Sequence, residues 1–303
     1  MTLDDFWSQI VGFENYGELL NLVRFSLIAA AVLGITGGLI GVFVMQRDMA
    51  FAVHGISELS FAGAAAALLF GANVVAGSIV GSLVAAILNG MLGAKARDRN
   101  SIIGVLMPFG LGLGILFLAL YPGRSGNKFG LLTGQIITVD GEQLGLLIVI
   151  SVVVLAALFV VWRPLTFDSL DPEVAAARGV PSRALALGFM VMLGLMVAVA
   201  VQIIGALLVM ALLVTPAAAA MRVSSSPRMV PVLSMIFGFV SATGGVLLAL
   251  GGSLPISPYI TTISFLIYLV CRVVGARRGR GRGHRVSRAS GAQLTSASAG
   301  GKS

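Results

Sequence analysis

Uncharged apolar stretches of roughly span length follow one another along most of this chain, separated by short breaks rich in Gly, Pro, Asp and Arg. A hydrocarbon core about 30 Å thick takes roughly 20 helical residues. On that measure spans fall near residues 22–45, 50–70, 72–93, 101–121, 143–163, 229–251 and 256–275. One stretch does not fit: Ala184 to Met221 runs for 38 residues without a charge, and a single helix of that length would extend about 57 Å. It is expected to be two spans, broken near Gln202 to Gly205. The pattern therefore predicts an all-α polytopic membrane protein of about nine transmembrane helices, with eight spans and one re-entrant element as the alternative.

The basic residues test that count, because cytoplasmic loops carry the excess of Lys and Arg. Lys95, Arg97 and Arg99 mark one such loop, Arg163, Arg178 and Arg183 a second, Arg222 and Arg228 a third, and the C-terminal tail a fourth. An even number of spans separates each from the next in the nine-span arrangement, which puts the N-terminus outside and the C-terminus in the cytoplasm. The loop from Tyr121 to Glu142 is then external despite Arg124 and Lys128. Three regions result: an extracytoplasmic N-terminal segment (1–21), a transmembrane domain (22–275) and a basic cytoplasmic tail (276–303). The first 21 residues hold acids and no basic residue, unlike a cleavable signal peptide, so insertion is expected to rest on the first span.

Composition agrees: 57% hydrophobic against 11% charged residues excludes a water-soluble domain. The formal charge of +8 looks like a nucleic-acid signal until it is located. All of the excess lies from Arg272 onward, where eight basic residues stand among Gly, Ser and Ala with no acid. That tail lacks the apolar content to fold and is expected to be disordered, a topology signal in contact with anionic lipid and not a nucleic-acid site. A single cysteine, Cys271, excludes an internal disulfide, and no Cys/His cluster has the spacing of a structural zinc site. Small residues (Gly34, Gly37, Gly38 and Gly41; Ala62 to Ala67; Gly77 and Gly81; Gly104, Gly110, Gly112 and Gly114) point to closely packed helices and to no chemistry.

Among the predicted spans, one is unusual. It holds His54 and Glu58, whereas the other eleven acids are expected in loops or the N-terminal segment and His284 lies in the tail. Spaced i, i+4, the two side chains share one helix face a turn apart. Counted from Arg47 at the inner interface, they sit roughly 10 and 16 Å deep, near the midplane. Imidazole nitrogen and carboxylate oxygen are donors for zinc, manganese or iron, which makes His54 and Glu58 candidate metal ligands of a translocation pathway. Two donors bind weakly, as a conduit needs. The alternative at this point is a pair that satisfies itself and fixes helix packing.

Two further segments carry local signals. Asp171 suits a helix N-cap, Pro172 the first helical position, Glu173 the positive dipole end, and Gly179 the left-handed residue after the end, with Ala176 and Arg178 between and Pro181 blocking resumption. So short a helix does not stand alone in water, and docking on a partner or a mere surface turn are the two readings. Pro216, after Thr215, removes a backbone hydrogen bond within a span and predicts a kink; with the break at Gly205 these are candidate gating hinges. Enzyme readings fail. No H-E-x-x-H or Ser/His/Asp set exists at one depth, and Gly301-Lys302-Ser303 is not a phosphate loop, because Ser296 stands where its first Gly belongs. No cofactor or nucleotide site is expected in this chain.

Three stretches resemble the permease subunit of the metal-ion ABC importers, the family that takes up zinc, manganese or iron. They are the Gly-rich first span through Met49-Ala50-Phe51 to Gly63, the segment Leu165 to Pro181 with its Asp-Pro-Glu, and Ile204-Gly205-Ala206 through Leu213-Val214-Thr215-Pro216-Ala217-Ala218. The last is the most specific, and the likeness runs over most of residues 22–275. The resemblance implies a type II-like ABC importer permease in a bacterial cell membrane, a homodimer bound to a cytoplasmic ABC ATPase that carries the ATP, and fed outside by a metal-binding lipoprotein. The segment Asp171 to Gly179 would be the helix that couples to the ATPase. One departure stands out: the family commonly has Asp followed four residues later by His, and this chain has His54 and then Glu58.

Under that reading, two copies would set two His54 and two Glu58 along a shared path. Zinc is slightly preferred on donor chemistry, with manganese next and iron behind. Uptake is expected to weaken below the ordinary imidazole value of about 6.5, since a protonated ring cannot ligate. The rivals are an ion-coupled secondary carrier using Glu58 as a proton site, which would move metal on a pH gradient without an ATPase, and a non-transporting membrane scaffold.

Overall fold

The computed structural model describes residues 23–92, 96–123, 139–250 and 256–299, with backbone alone at 92, 96–100 and 278–299. The N-terminal segment, Lys95, the loop residues Arg124 and Lys128, and Gly301-Lys302-Ser303 lie outside them. All regular structure in the described residues is helical: α1 (Arg24–Gln46), α2 (Ala50–Leu69), α3 (Val74–Leu92), α4 (Ala96–Leu120), α5 (Gly141–Leu170), α6 (Pro172–Ala177), α7 (Ser182–Ile204), α8 (Ala206–Val223), α9 (Met229–Ala249) and α10 (Ile256–Ala299). Every helix except α6 is long and apolar enough to cross a membrane, nine candidates in all among the described residues.

The long apolar region divides at Gly205, with φ +80° and ψ +154°, a conformation open essentially to glycine alone. That is where the break was expected. Two helices run past their predicted ends. α5 continues through Pro164 to Leu170, because the ring removes one helical hydrogen bond and the adjoining turns keep theirs. At 30 residues it extends roughly 45 Å, longer than a hydrocarbon core of about 30 Å. α10 continues in helical backbone beyond its apolar part, Ile256–Arg277, to Ala299, where a disordered tail was expected. Extending an existing helix adds one hydrogen bond per residue fixed and needs no new nucleus.

The core lies where α1, α2, α7 and α8 meet; these spans are half or more buried, whereas α3, α4, α5 and α10 are less than a third buried. Leu33, Phe43, Phe61, Phe189 and Met196 fill it. Around it α9 packs on α1, α3 and α4 pack on α2, α3 also meets α7, and α10 covers α8 and α9. With no hydrophobic drive between helices in lipid, close backbone approach takes its place. A β-carbon on Gly34 would strike the carbonyl of Gly238, and Ser234 Oγ donates to the Gly38 carbonyl at 2.6 Å. Gly104 and Gly112 differ from the expectation for the glycines: each faces open space, with no neighbour within 4 Å of an added β-carbon.

One end of the bundle gathers several chain ends. Arg47, just after α1, pairs with Asp168 in the last turn of α5. Gln46, Thr166, Leu170, Met221, Ser224 and Val230 line a shared recess beside them. Gly275 of α10 packs on the Arg222 carbonyl at the end of α8. The C-terminal ends of candidate spans one, five and seven and Gly275 of the ninth therefore meet at one face, as alternate crossings among the described helices would.

Candidate metal pathway

α1 ends in a turn that fixes where α2 begins. Asp48 takes a left-handed φ of +52°, its N–H bonds Met45 O at 3.3 Å, and Met49 N–H bonds Val44 O at 2.8 Å. This is the paired closure usually built on glycine. α2 starts at Ala50, so His54 and Glu58 fall in its second and third turns.

The structure brings the pair together. His54 Nε2 lies 3.6 Å from Glu58 Oε1, beyond hydrogen-bond length but close to the separation of two donors on one tetrahedral ion, roughly 3.4 Å for bonds of about 2.0–2.1 Å. The remaining donor atoms, His54 Nδ1 and Glu58 Oε2, are buried without a hydrogen-bond partner. The His54 side chain is 22% exposed and that of Glu58 1%. His54 thus reaches the surface, while Glu58 is enclosed by its own chain behind it, its backbone against the place a β-carbon on Gly110 of α4 would occupy. Among the described residues no third His, Cys, Asp or Glu joins them. Within one chain the described residues thus bring two donor side chains together at this point.

Above Glu58 the α2–α3 seam is polar at one point: Ser60 Oγ lies 2.7 Å from Ser78 Oγ, which donates to the Ala198 carbonyl of α7 at 3.1 Å. α2 and α3 touch backbone to backbone here, where the Gly77 carbonyl fills the space a β-carbon on Gly63 would need.

The Asp171 to Gly179 segment folds as its residues specify. Asp171 Oδ1 accepts from Val174 N–H at 3.1 Å, Pro172 opens the helix, and Glu173 stands in its first turn. Gly179, at φ +80°, donates to Ala176 O, and Val180 N–H bonds Ala175 O, each at 3.0 Å, the two bonds of a Schellman closure after Arg178. Only Ala175 is buried in α6; Glu173, Val174, Ala176 and Arg178 are exposed. Gly205 forms the α7–α8 joint, and Pro216 is buried inside α8 with Thr215 half-buried beside it, the helix continuing past both to Val223.

Sequence reasoning missed one feature. Asp168, expected in a loop, sits in α5 with 3% of its side chain exposed; its Oδ2 accepts from Arg47 Nη1 at 2.8 Å. The two residues are 121 apart in the chain, so no local pattern links them. The available signal was slight: Thr166 and Ser169 share i, i+3 spacing after Pro164, and Asp168 does not fall on their face.

A model of the ABC 3 transport family matches residues 20–275. The manganese transport system membrane protein MntC of Halalkalibacterium halodurans is 30% identical over 222 residues, 73% of this chain and 76% of that one. The high-affinity zinc uptake system membrane protein ZnuB of Buchnera aphidicola is 26% identical over 248 residues, 81% of this chain and 95% of that one. Among solved structures, PsaBC from Streptococcus pneumoniae in complex with Fab contains a chain that superimposes with a TM-score of 0.76 at 26% identity, covering 84% of this chain and 94% of that one.

Proposed function

The chain belongs to the ABC 3 transport family, and from that premise we propose that it conducts divalent metal ions inward as the permease of an ATP-driven importer, through a path that His54 and Glu58 line. It is a multi-pass membrane protein of a bacterial metal-ion transporter, a transport component. The observation that carries the finer reading is the pair itself, set at bidentate spacing with one donor atom on each side chain still unpaired. A second copy of the chain would complete the shell with two more donors. Imidazole and carboxylate suit zinc first and manganese closely after, and the relatives include one named for each metal.

ATP is hydrolysed on a separate ABC subunit that receives α6, and an extracytoplasmic metal-binding lipoprotein delivers the ion. The face holding α6, Arg178, Arg183, Arg222 and Arg228 is cytoplasmic by its excess of basic residues. The conformation, with His54 reachable and Glu58 sealed behind it, fits one closed stage of an alternating path. The ion shared by the two donors moves on when the helices around α2 rearrange.

Metal uptake into proteoliposomes holding the complete transporter tests this. His54→Ala and Glu58→Gln should each lower uptake roughly tenfold or more, the scale for losing support at a metal site, with the complex still assembled. Normal rates in both variants would falsify the pathway.

A further inference from the structure

The Arg47–Asp168 contact joins the two parts of the molecule that the proposed transport cycle needs to connect. Arg47 stands in the turn after α1, three residues ahead of α2 and seven ahead of His54. That turn is held by three backbone bonds, Arg47 N–H to Phe43 O at 3.0 Å and the Asp48 and Met49 bonds described above. α2 begins directly from it, with Ala52 N–H on Met49 O at 3.0 Å. A displacement of Arg47 therefore passes into the first turns of α2 and is not absorbed by a loose linker.

The other partner sits as close to the other part. Asp168 precedes Asp171, the N-cap of α6, by three residues, and the backbone between them is helical, Asp171 N–H bonding Phe167 O at 3.1 Å. A single non-helical residue, Asp171 at φ −148° and ψ +87°, separates α6 from the turn that holds the carboxylate, so motion of α6 reaches Asp168 through one joint. Arg47 Nη1 also donates to Ser169 Oγ at 3.2 Å, and its guanidinium lies 6.0 Å from the centre of the Phe189 ring of α7. Phe189 in turn packs on Phe43, which meets Trp162 of α5 edge to face at 4.9 Å. The side chains of the ion pair are 10% and 3% exposed, so water screens it little. Asp168 Oδ1 has no hydrogen-bond partner, and the carboxylate leans on Arg47.

We propose that Arg47 and Asp168 are positioning residues that form a strut, carrying motion of α6 into the α1–α2 corner and so into the placement of His54 and Glu58. A buried pair replaced by an apolar contact is often no less stable, so stability alone does not account for it. A directional, hydrogen-bonded charge pair transmits both push and pull, which an apolar contact does not. The inference rests on the reading of α6 as the ATPase-facing helix and of His54–Glu58 as the path.

The test is the number of metal ions moved per ATP hydrolysed, measured in proteoliposomes with the complete transporter. Asp168→Asn should lower that ratio at least fivefold, with the ATPase rate and co-purification of the ATPase subunit within twofold of normal. The charge-reversed pair, Arg47→Asp with Asp168→Arg, should recover at least half of the ratio. A normal ratio in Asp168→Asn overturns the strut; so does a loss of assembly in Asp168→Asn that the reversed pair does not repair, since that marks a purely structural contact. His54→Ala, run alongside, separates the two claims. If it and Glu58→Gln both transport normally the pathway is wrong, and if they fail while Asp168→Asn keeps its ratio only the strut is wrong.

Discussion

His54 Nε2 and Glu58 Oε1 are held 3.6 Å apart by one turn of α2, a spacing that suits a shared cation better than a hydrogen bond between them. The family resemblance read from the sequence implies the reverse order, carboxylate first and imidazole second. If the pair works as donors on one ion, exchanging the residues keeps both donors at the same spacing. The double variant His54→Glu with Glu58→His should therefore retain uptake within roughly threefold, while removal of either donor lowers it roughly tenfold or more. Transport assays on the three variants side by side decide it; an exchanged pair as inactive as the single deletions would mean the positions matter for packing.

A metal-ligating imidazole must be neutral, and binding competes with protons. The sign follows directly: falling pH protonates the ring, removes a donor and slows uptake. For an ordinary imidazole this occurs as pH drops through about 6.5. Uptake measured from pH 8 to pH 5.5 should decline toward the acid side in the parent and be flat over that range in His54→Asn, whose amide does not titrate. An equal decline in both would assign the pH effect to another group.

The spans and the α6 helix were legible because their signals are local. Gly205 reads as a break wherever 38 uncharged residues exceed one membrane crossing, and Asp171, Pro172 and Gly179 each specify their own stretch of backbone. The pair was half legible: i, i+4 spacing puts His54 and Glu58 on one face, but that Glu58 is enclosed depends on α4 packing over it at Gly110. Arg47–Asp168 was not legible. Arg163 and Pro164 look like the end of a span, and the sequence offers no reason for α5 to persist until its last turn meets a residue 121 positions earlier. The glycines divide in the same way. Gly63 and Gly110 pack and Gly112 does not, a difference set by which face of each helix meets a neighbour.

The caps of α6 should matter to assembly more than to the membrane body. Asp171→Ala removes the bond to Val174 N–H, a loss of about 1 kcal/mol. Gly179→Ala forces a β-carbon onto a residue at φ +80°, costing roughly 1–2 kcal/mol. A helix of six residues has little margin against either. Both variants should co-purify poorly with the ATPase subunit while the detergent-solubilised chain keeps its thermal unfolding midpoint. A lowered midpoint with normal co-purification would reverse the assignment of α6.

Gly63 and Gly112 offer a matched comparison of one substitution at two depths of packing. At Gly63 of α2 an added β-carbon runs into the carbonyl of Gly77, a backbone atom with no rotamer to move into, so α2 and α3 must separate. Overpacking of that kind costs about 1–3 kcal/mol, and it displaces the helix that carries Glu58 five residues earlier. Gly112 of α4 has no neighbour within 4 Å of the same added atom. Gly63→Leu should therefore lower the unfolding midpoint in detergent by a few degrees and reduce metal uptake with it, whereas Gly112→Leu should leave the midpoint unchanged. Equal stability of the two variants would show that the α2–α3 seam is looser than its backbone contacts indicate.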